Sequence, residues 1–260
     1  MELLNEKDLR YQFKYPESIK KVVVLGFVNL CPWWILDSEW SKKFSPIVQS
    51  AYPKRKLIPF ATRQDNDDTA CFEVDKGEEV QIIHVGASVG WEQRGVYPDF
   101  AEWLKAVLED TKDADLDDCI RGLKKWRKVE NQQHFLCEKD LFYGFQYPES
   151  FKKAVVLGLV NICPWSIMDA KRVNVRLEGL KTRYPNRQLI PFAERQDNDD
   201  IACFEIDKGE EIQLIHDFAS QGWEQVETFK NLIEWFKIAL DDMNVWGELI
   251  DCIESIESRK

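Results

Sequence analysis

The sequence predicts an α+β protein made of two tandem copies of one small domain, each an antiparallel meander packed with helices. Two observations predict this fold class. Residues 57–84 recur as residues 189–216 with 23 identities in 28 positions, at a constant offset of 132. Each copy also alternates apolar runs of strand length with amphipathic stripes of helix length. A copy of roughly 110 residues is large enough to form its own core.

The repeated stretch predicts an antiparallel meander of three strands. In the second copy its apolar runs are 189–193, 201–206 and 212–215, which are rich in β-branched and aromatic residues. Residues 195–200 separate the first two runs, and the Asp and Asn side chains of this stretch favour a turn. Residues 207–210 separate the last two runs and contain the Gly of a short hairpin. The first copy repeats the pattern, so each domain should contain this meander.

The segments that flank the meander predict helices. Pro148 and Glu149 suit the first turn of a helix, and the apolar stripe behind them is Phe151, Val155 and Leu159, matched by Ile19, Val23 and Phe27. The apolar run 165–168, like 33–36, is expected to form a short buried strand or turn.

Two further helices are expected in each copy. Asp169 is placed to cap a second helix with the stripe Val173, Leu177, Leu180 and Tyr184. Thr228 is expected to cap the last helix, whose core face would be Phe229, Leu232, Ile233, Phe236 and Leu240.

The second helix is expected to differ in the first copy. Ser41 stands where the second copy has Val173, and Pro46 stands opposite Glu178. A Pro inside a helix costs about 3 kcal/mol. This helix should therefore begin near residues 45–46 or be broken.

The repeat also sets the domain boundaries. We expect a first domain over residues 1–112, a linker helix over 113–132, a second domain over 133–243 and a C-terminal helix over 244–260. The linker and the C-terminal segment are both amphipathic, and both contain Asp-Cys-Ile. The two domains are expected to pack together as an intramolecular pseudo-dimer.

Charge and hydropathy exclude several classes of protein. The net charge is −11, with 23 acidic and 20 basic residues in 1–132 and 23 and 15 in 133–260. An acidic chain repels nucleic-acid phosphates and attracts a basic partner. No apolar run approaches the roughly 18 residues that span a bilayer, and residues 1–10 are too polar for a signal peptide. We expect a cytoplasmic protein with no nucleic-acid or membrane partner.

The seven cysteines show no zinc-type spacing, and their number is odd. Cys31 and Cys163 correspond between the copies, as do Cys71 and Cys203, and all four lie in apolar runs. They are expected to be small buried hydrophobic residues in a reducing cytosol.

The order of several short motifs resembles the SUKH superfamily, named after a fungal cell-wall assembly regulator. The motifs in the second copy are Tyr-Pro-Glu-Ser-Phe (147–151), Pro-Trp (164–165), Leu-Ile-Pro-Phe-Ala (189–193), Asp-Asn-Asp-Asp-Ile-Ala-Cys-Phe (197–204), Ile-His-Asp-Phe-Ala (215–219) and Trp-Glu (223–224). The resemblance covers roughly residues 4–110 and 136–242. It implies an α+β fold with a mixed, largely antiparallel sheet packed with helices. For bacterial members it also implies an immunity protein without catalytic activity, which binds and blocks a toxin, often a nuclease.

The resemblance is closer in the second copy. Asp217-Phe218-Ala219-Ser220 matches the pattern, whereas the first copy has Val85-Gly86-Ala87-Ser88. The second copy is also the more acidic one. It is therefore the candidate for the more active binding surface, although drift of an idle copy would look the same.

Candidate partner-binding residues are the acids of the repeated polar loop and one Trp in each copy: Asp65, Asp67, Asp68, Trp91, Asp197, Asp199, Asp200 and Trp223. The acids are typical of turns, yet a basic partner would also contact them. Hard cations bind several carboxylates, so a metal-dependent enzyme is an alternative, although the calcium-loop spacing is missing. An exposed Trp is a typical interface anchor, but a Trp that covers the core is equally compatible.

No catalytic constellation accompanies these residues. His84 and His216 end the third strand of each meander, and His216-Asp217 is a candidate acid–base couple that the first copy lacks. GxSxG, P-loop and GxGxxG motifs are missing. The sequence favours a non-enzymatic module that neutralises a basic protein toxin, with no catalytic residue, metal or cofactor. A structural scaffold or regulatory protein stays open, because fold does not fix function.

Overall fold

The computed structural model describes residues 2–115 and 144–246, together with residues 135, 141, 251 and 254. The chain divides into two compact units, Met1–Lys128 and Val129–Lys260. The predicted linker and C-terminal helices lie largely outside the described residues.

The two units contain the same elements in the same order. In unit 1 these are α1 (Glu17–Val24), β1 (Asn29–Leu30), β2 (Trp33–Ile35), α2 (Ser38–Ala51), β3 (Leu57–Arg63), β4 (Asp68–Glu73), β5 (Val80–His84), β6 (Gln93–Tyr97) and α3 (Phe100–Asp113). In unit 2 they are α4 (Glu149–Val156), β7 (Asn161–Ile162), β8 (Trp165–Ile167), α5 (Ala170–Arg183), β9 (Leu189–Arg195), β10 (Asp200–Glu205), β11 (Ile212–His216), β12 (Gln225–Phe229) and α6 (Leu232–Val245).

Each unit has one six-stranded sheet whose strands pair in chain order, from β1 to β6 and from β7 to β12. Every pair is antiparallel. The α+β class is confirmed, and so is the meander over β3–β5 and β9–β11. The structure adds a fourth meander strand, β6 and β12, which the sequence did not predict.

The sheets carry an aromatic core. In unit 1 Phe60 stacks on Phe72 at 4.5 Å between ring centroids and meets Trp103 of α3 edge-on at 5.0 Å. The same arrangement in unit 2 joins Phe192 to Phe204 and Trp235. Such pairs add about 0.5–1.5 kcal/mol beyond their buried area. The core fixes the sheet, and the sheet positions the loops at its ends.

The helix predictions hold in part. Asp37 and Asp169 cap α2 and α5 through backbone N–H groups three residues later, at 2.9 and 2.8 Å. The stripe residues Phe27 and Leu159 are buried but follow α1 and α4, because both helices end earlier.

The capping predictions for the last helix are wrong in unit 2. Asn231, and not Thr228, caps α6, and Thr228 lies in β12. The added edge strand occupies the segment that the sequence assigned to the start of the helix.

The prediction for α2 is also wrong. The helix runs from Ser38 to Ala51 with Pro46 inside it. Val48, one turn beyond Ser45, is completely buried against Tyr52 and Leu57. The burial of this face offsets the hydrogen bond that Pro46 cannot donate.

The four aligned cysteines, Cys31, Cys71, Cys163 and Cys203, are buried, as predicted, and no disulfide joins them. Burial raises the pKa of the Cys71 and Cys203 thiols. Both thiols are therefore protonated and inert at neutral pH.

Candidate functional site

The sequence-predicted binding residues come together at one end of each sheet. Asp68 pairs in register with His84, and Asp200 with His216, so the turn before β4 or β10 and the loop after β5 or β11 leave the sheet side by side. A backbone hydrogen bond joins them, from Val85 to Asp67 O at 3.0 Å in unit 1. We call each pair of loops a tip: residues 65–68 with 85–92 in unit 1, and 197–200 with 217–224 in unit 2.

Each tip presents its Trp to solvent. Trp91 is 79% exposed and Trp223 is 83% exposed. The Trp backbone N–H closes a tight turn on a Ser carbonyl three residues earlier, Ser88 or Ser220, at 2.9 Å. The preceding glycine has a positive φ, +93° at Gly90 and +89° at Gly222, which other residues adopt at a cost. The alternative that these tryptophans cover the core is therefore wrong.

A buried carboxylate stabilises the backbone of each Trp turn. Glu92 accepts the N–H of Gly90 at 2.5 Å and pairs with Arg55 at 3.3 Å. Arg55 also binds Glu73 with two hydrogen bonds. The backbone N–H of Glu92 itself and that of Gly90 hold the pKa of the Glu92 carboxyl below its usual range, against the opposing effect of burial. The turn that carries Trp91 is thus fixed before any partner arrives.

The same arrangement of a buried Glu and an Arg recurs beneath the Trp turn of unit 2. Glu224 accepts the N–H of Gly222 and pairs with Arg187 at 3.3 Å, and Arg187 binds Glu205 with two hydrogen bonds. The hydroxyl of Tyr184 donates to the carbonyl of Ala219 at 3.1 Å. The aromatic loop is therefore held from two sides.

The first acid of each polar loop is engaged within its own unit. Asp65 accepts two hydrogen bonds from Arg63, both at 2.8 Å, and Arg63 also pairs with Asp110 of α3. The bond from the Arg63 guanidinium lowers the pKa of Asp65 despite partial burial. Asp197, Arg195 and Asp242 repeat this triad. These ion pairs connect the polar loop of each unit to its last helix.

The third acid of each loop holds the His that ends the meander. Asp68 Oδ1 lies 2.8 Å from Nδ1 of His84, and the same pair in unit 2 is Asp200 and His216 at 2.7 Å. The predicted couple of His216 with its neighbour Asp217 is not formed, because the two side chains bind different partners.

The middle acids, Asp67 and Asp199, are exposed. Within the described residues their carboxylates form no ion pair or hydrogen bond. Across the same part of the chain, no three His, Cys, Asp or Glu side chains are placed to hold a metal ion together. The carboxylates of Asp65 and Asp68 point to different intramolecular partners, so the geometry gives the metal-enzyme alternative no support.

Sequence reasoning missed a charged cluster in unit 2. Asp217, whose side chain is fully buried, accepts two hydrogen bonds from Arg183 at 2.7 Å and pairs with Arg176 at 3.2 Å. The only sequence signal was that the two copies differ at all three positions, where unit 1 has Val85, Ala51 and Phe44.

Searches of protein-family models, curated proteins and solved structures found no match to this chain. The SUKH resemblance therefore remains a prediction from the sequence motifs. Among the described residues, no helix combines the length and hydrophobicity needed to cross a membrane.

Proposed function

We propose that this chain is a non-enzymatic, protein-binding module of the SUKH type, which neutralises a basic protein toxin by occupying its surface with the tips. One observation supports this most directly. At equivalent positions of both units, a Trp stands in solvent on a turn that a buried carboxylate and an Arg hold in place.

Folding alone does not account for these tryptophans. A Trp that is about four-fifths exposed contributes little to stability in its own unit, because stabilisation follows the apolar area that is removed from water. At an interface it becomes a hot spot, whose removal typically costs 2 kcal/mol or more. A turn that is already ordered also lowers the entropic cost of binding.

The charge of the tips favours a basic partner. Asp67 and Asp199 are exposed on the same tips as the tryptophans, and the chain carries a net charge of −11. Complementary charge accelerates association and selects against acidic proteins. A toxin that acts on nucleic acid is itself basic, in keeping with the function that the family resemblance implies.

A growth-protection assay tests the proposal. The toxin domain encoded beside the gene of this chain would be expressed with the wild-type chain, with the double variant Trp91→Ala/Trp223→Ala, or with Ile238→Ala. Ile238 is also an exposed apolar residue, but it lies on α6. We expect wild type and Ile238→Ala to protect, and the double variant to fail at equal protein levels.

The same proteins would be compared by binding measurements with an inactivated toxin domain. We expect the double variant to bind at least about 30-fold more weakly, which corresponds to 2 kcal/mol. Failure of the wild-type chain to bind or protect would contradict the proposed function. Protection by the double variant at full strength would contradict the role of the tips.

A further inference from the structure

The two tips differ in a concerted way. Five residues of unit 2 form one connected group, and each has a different counterpart in unit 1: Arg176, Gly179, Arg183, Asp217 and Phe218 stand where unit 1 has Phe44, Ile47, Ala51, Val85 and Gly86. In unit 1 the apolar counterparts Phe44, Ala51 and Val85 pack against the buried cluster around Val48 and Ile83. Unit 2 replaces this packing with charges and one additional aromatic side chain.

The additional aromatic side chain is exposed. Phe218 is 60% exposed and has a φ of +66°, a left-handed conformation that costs a residue with a side chain about 1 kcal/mol or more. Its N–H donates to Asp217 at 3.0 Å. At the equivalent position unit 1 has Gly86, which has no side chain to present.

An ion pair between the buried Asp217 and the partly exposed Arg183 holds Phe218 in this position. The Arg183 guanidinium lies over the Phe218 ring, 4.3 Å from its centroid, while it donates two hydrogen bonds to Asp217. Gly179 provides the space for it: a Cβ built there would lie 2.6 Å from a guanidinium nitrogen of Arg183. A Gly inside a helix costs about 1 kcal/mol relative to Ala, so helix stability is reduced where the guanidinium needs room.

We infer that the tip of unit 2 is the primary partner site, and that Phe218 and Trp223 are paired aromatic anchors for a basic surface loop of the protein partner. This inference rests on the proposed function and assigns it to one unit. Both aromatics belong to the loop 217–224, which is braced at Asp217 and at Glu224. In unit 1 the equivalent loop has one exposed aromatic residue, Trp91, together with the exposed but smaller Val89.

Charge complementarity identifies the occupant. Residues 133–260 carry a net charge of −8, against −3 for residues 1–132. Asp217 neutralises Arg183 next to Phe218, and Asp199 adds an exposed carboxylate to the same tip. Lys and Arg side chains bind aromatic faces more strongly as water is excluded. The surface therefore fits a loop with Lys or Arg side chains at its apex.

The test compares three single variants of the full chain for binding to the inactivated toxin domain. Phe218→Gly removes the anchor and relieves the positive φ, and Phe218→Tyr keeps the aromatic face. Trp91→Ala removes the aromatic anchor of unit 1, which is the counterpart of Trp223. We expect Phe218→Gly to weaken binding about tenfold or more while it melts within a few degrees of wild type. Phe218→Tyr should bind like wild type, and Trp91→Ala should lose less than threefold.

Other outcomes separate this inference from the proposed function. If the wild-type chain does not bind the toxin domain, both are overturned. If the wild-type chain binds but Phe218→Gly binds equally well, or Trp91→Ala loses more than Phe218→Gly, only the assignment to unit 2 is overturned. A wild-type dimer in light scattering that Phe218→Gly dissociates would make a second copy the occupant and would also overturn it.

Discussion

At the residue scale, Asp217 shows how one position changes the chemistry of a tip. It is completely buried, and its charge is matched by Arg176 and Arg183. A buried ion pair contributes little net stability compared with an apolar pair, whereas the removal of one partner leaves a buried charge uncompensated. Unit 1 has apolar residues at the equivalent positions, and its Val85 packs against a buried apolar cluster.

We predict that Asp217→Ala destabilises unit 2 by about 1–3 kcal/mol, because two partly exposed guanidinium groups lose the carboxylate that they bind. Urea denaturation followed by Trp fluorescence would measure the change. Replacing the cluster by the residues of unit 1, as Arg176→Phe/Arg183→Ala/Asp217→Val, should recover most of the loss. A stable Asp217→Ala protein would show that the cluster does not hold the loop.

The carboxylates around Arg55 predict a pH dependence for unit 1. Hydrogen bonds from Arg55 lower the pKa of Glu73, and the backbone N–H of Glu92 lowers the pKa of Glu92. A depressed folded-state pKa stabilises the protein above the unfolded value of about 4.3. This contribution is lost as the pH falls through the lower folded-state values.

The expected result is a melting temperature that decreases as the pH is lowered from about 4.5 towards 3. The Arg55→Met protein should melt at a lower temperature at neutral pH. Its melting temperature should also depend less on pH in this range, because the substitution removes one cause of the lowered pKa values of Glu73 and Glu92. Lys56→Met, which changes an exposed neighbour, is the control. An unchanged pH slope in Arg55→Met would rule out this explanation.

At the element scale, α2 and α5 share length and register, but only α2 contains an internal proline. Pro46→Glu introduces the residue of unit 2 and restores a donor for the carbonyl one turn back. We predict that it stabilises unit 1 by up to about 3 kcal/mol, and that Glu178→Pro destabilises unit 2 by a similar amount. Thermal denaturation of both variants measures this, and a destabilised Pro46→Glu protein would show that the helix requires Pro46.

The elements that were predicted correctly have strong periodicity. Residues 57–84 alternate apolar runs with turn residues, so β3, β4 and β5 could be read from the sequence. The strands β6 and β12 were missed because they are sheet edges whose side chains are largely exposed on both faces, and such strands lack an apolar period. The start of α2 was misplaced because the low helix propensity of Pro46 opposed the burial of the helix face, and burial prevailed.

At the scale of the whole molecule, the net charge of −11 predicts how binding depends on salt. Attraction between the acidic chain and a basic partner should accelerate association at low ionic strength, whereas contacts at the tryptophans should govern dissociation. We expect the association rate to fall at least about tenfold between 50 and 500 mM NaCl, with little change in the dissociation rate. Stopped-flow fluorescence would show both, and an association rate independent of salt would contradict an electrostatic encounter.

The sequence named the residues of the tips but not their arrangement. The acids and Trp91 are more than 20 residues apart in the chain, and the register of β4 with β5 brings their loops together. The roles of the individual acids depend on partners such as Asp110, which is 47 residues from Arg63. Contacts of this kind leave no local pattern, and for that reason the Asp217 cluster was also missed.

Hydrogen–deuterium exchange of the full chain with and without the inactivated toxin domain tests most directly that the tips are the binding surface. We expect the backbone amides of residues 217–224 and 197–200 to exchange more slowly on binding, while the exchange rates of the helices stay unchanged. Slower exchange confined to the helices, with both tips unaffected at saturating toxin domain, would contradict it.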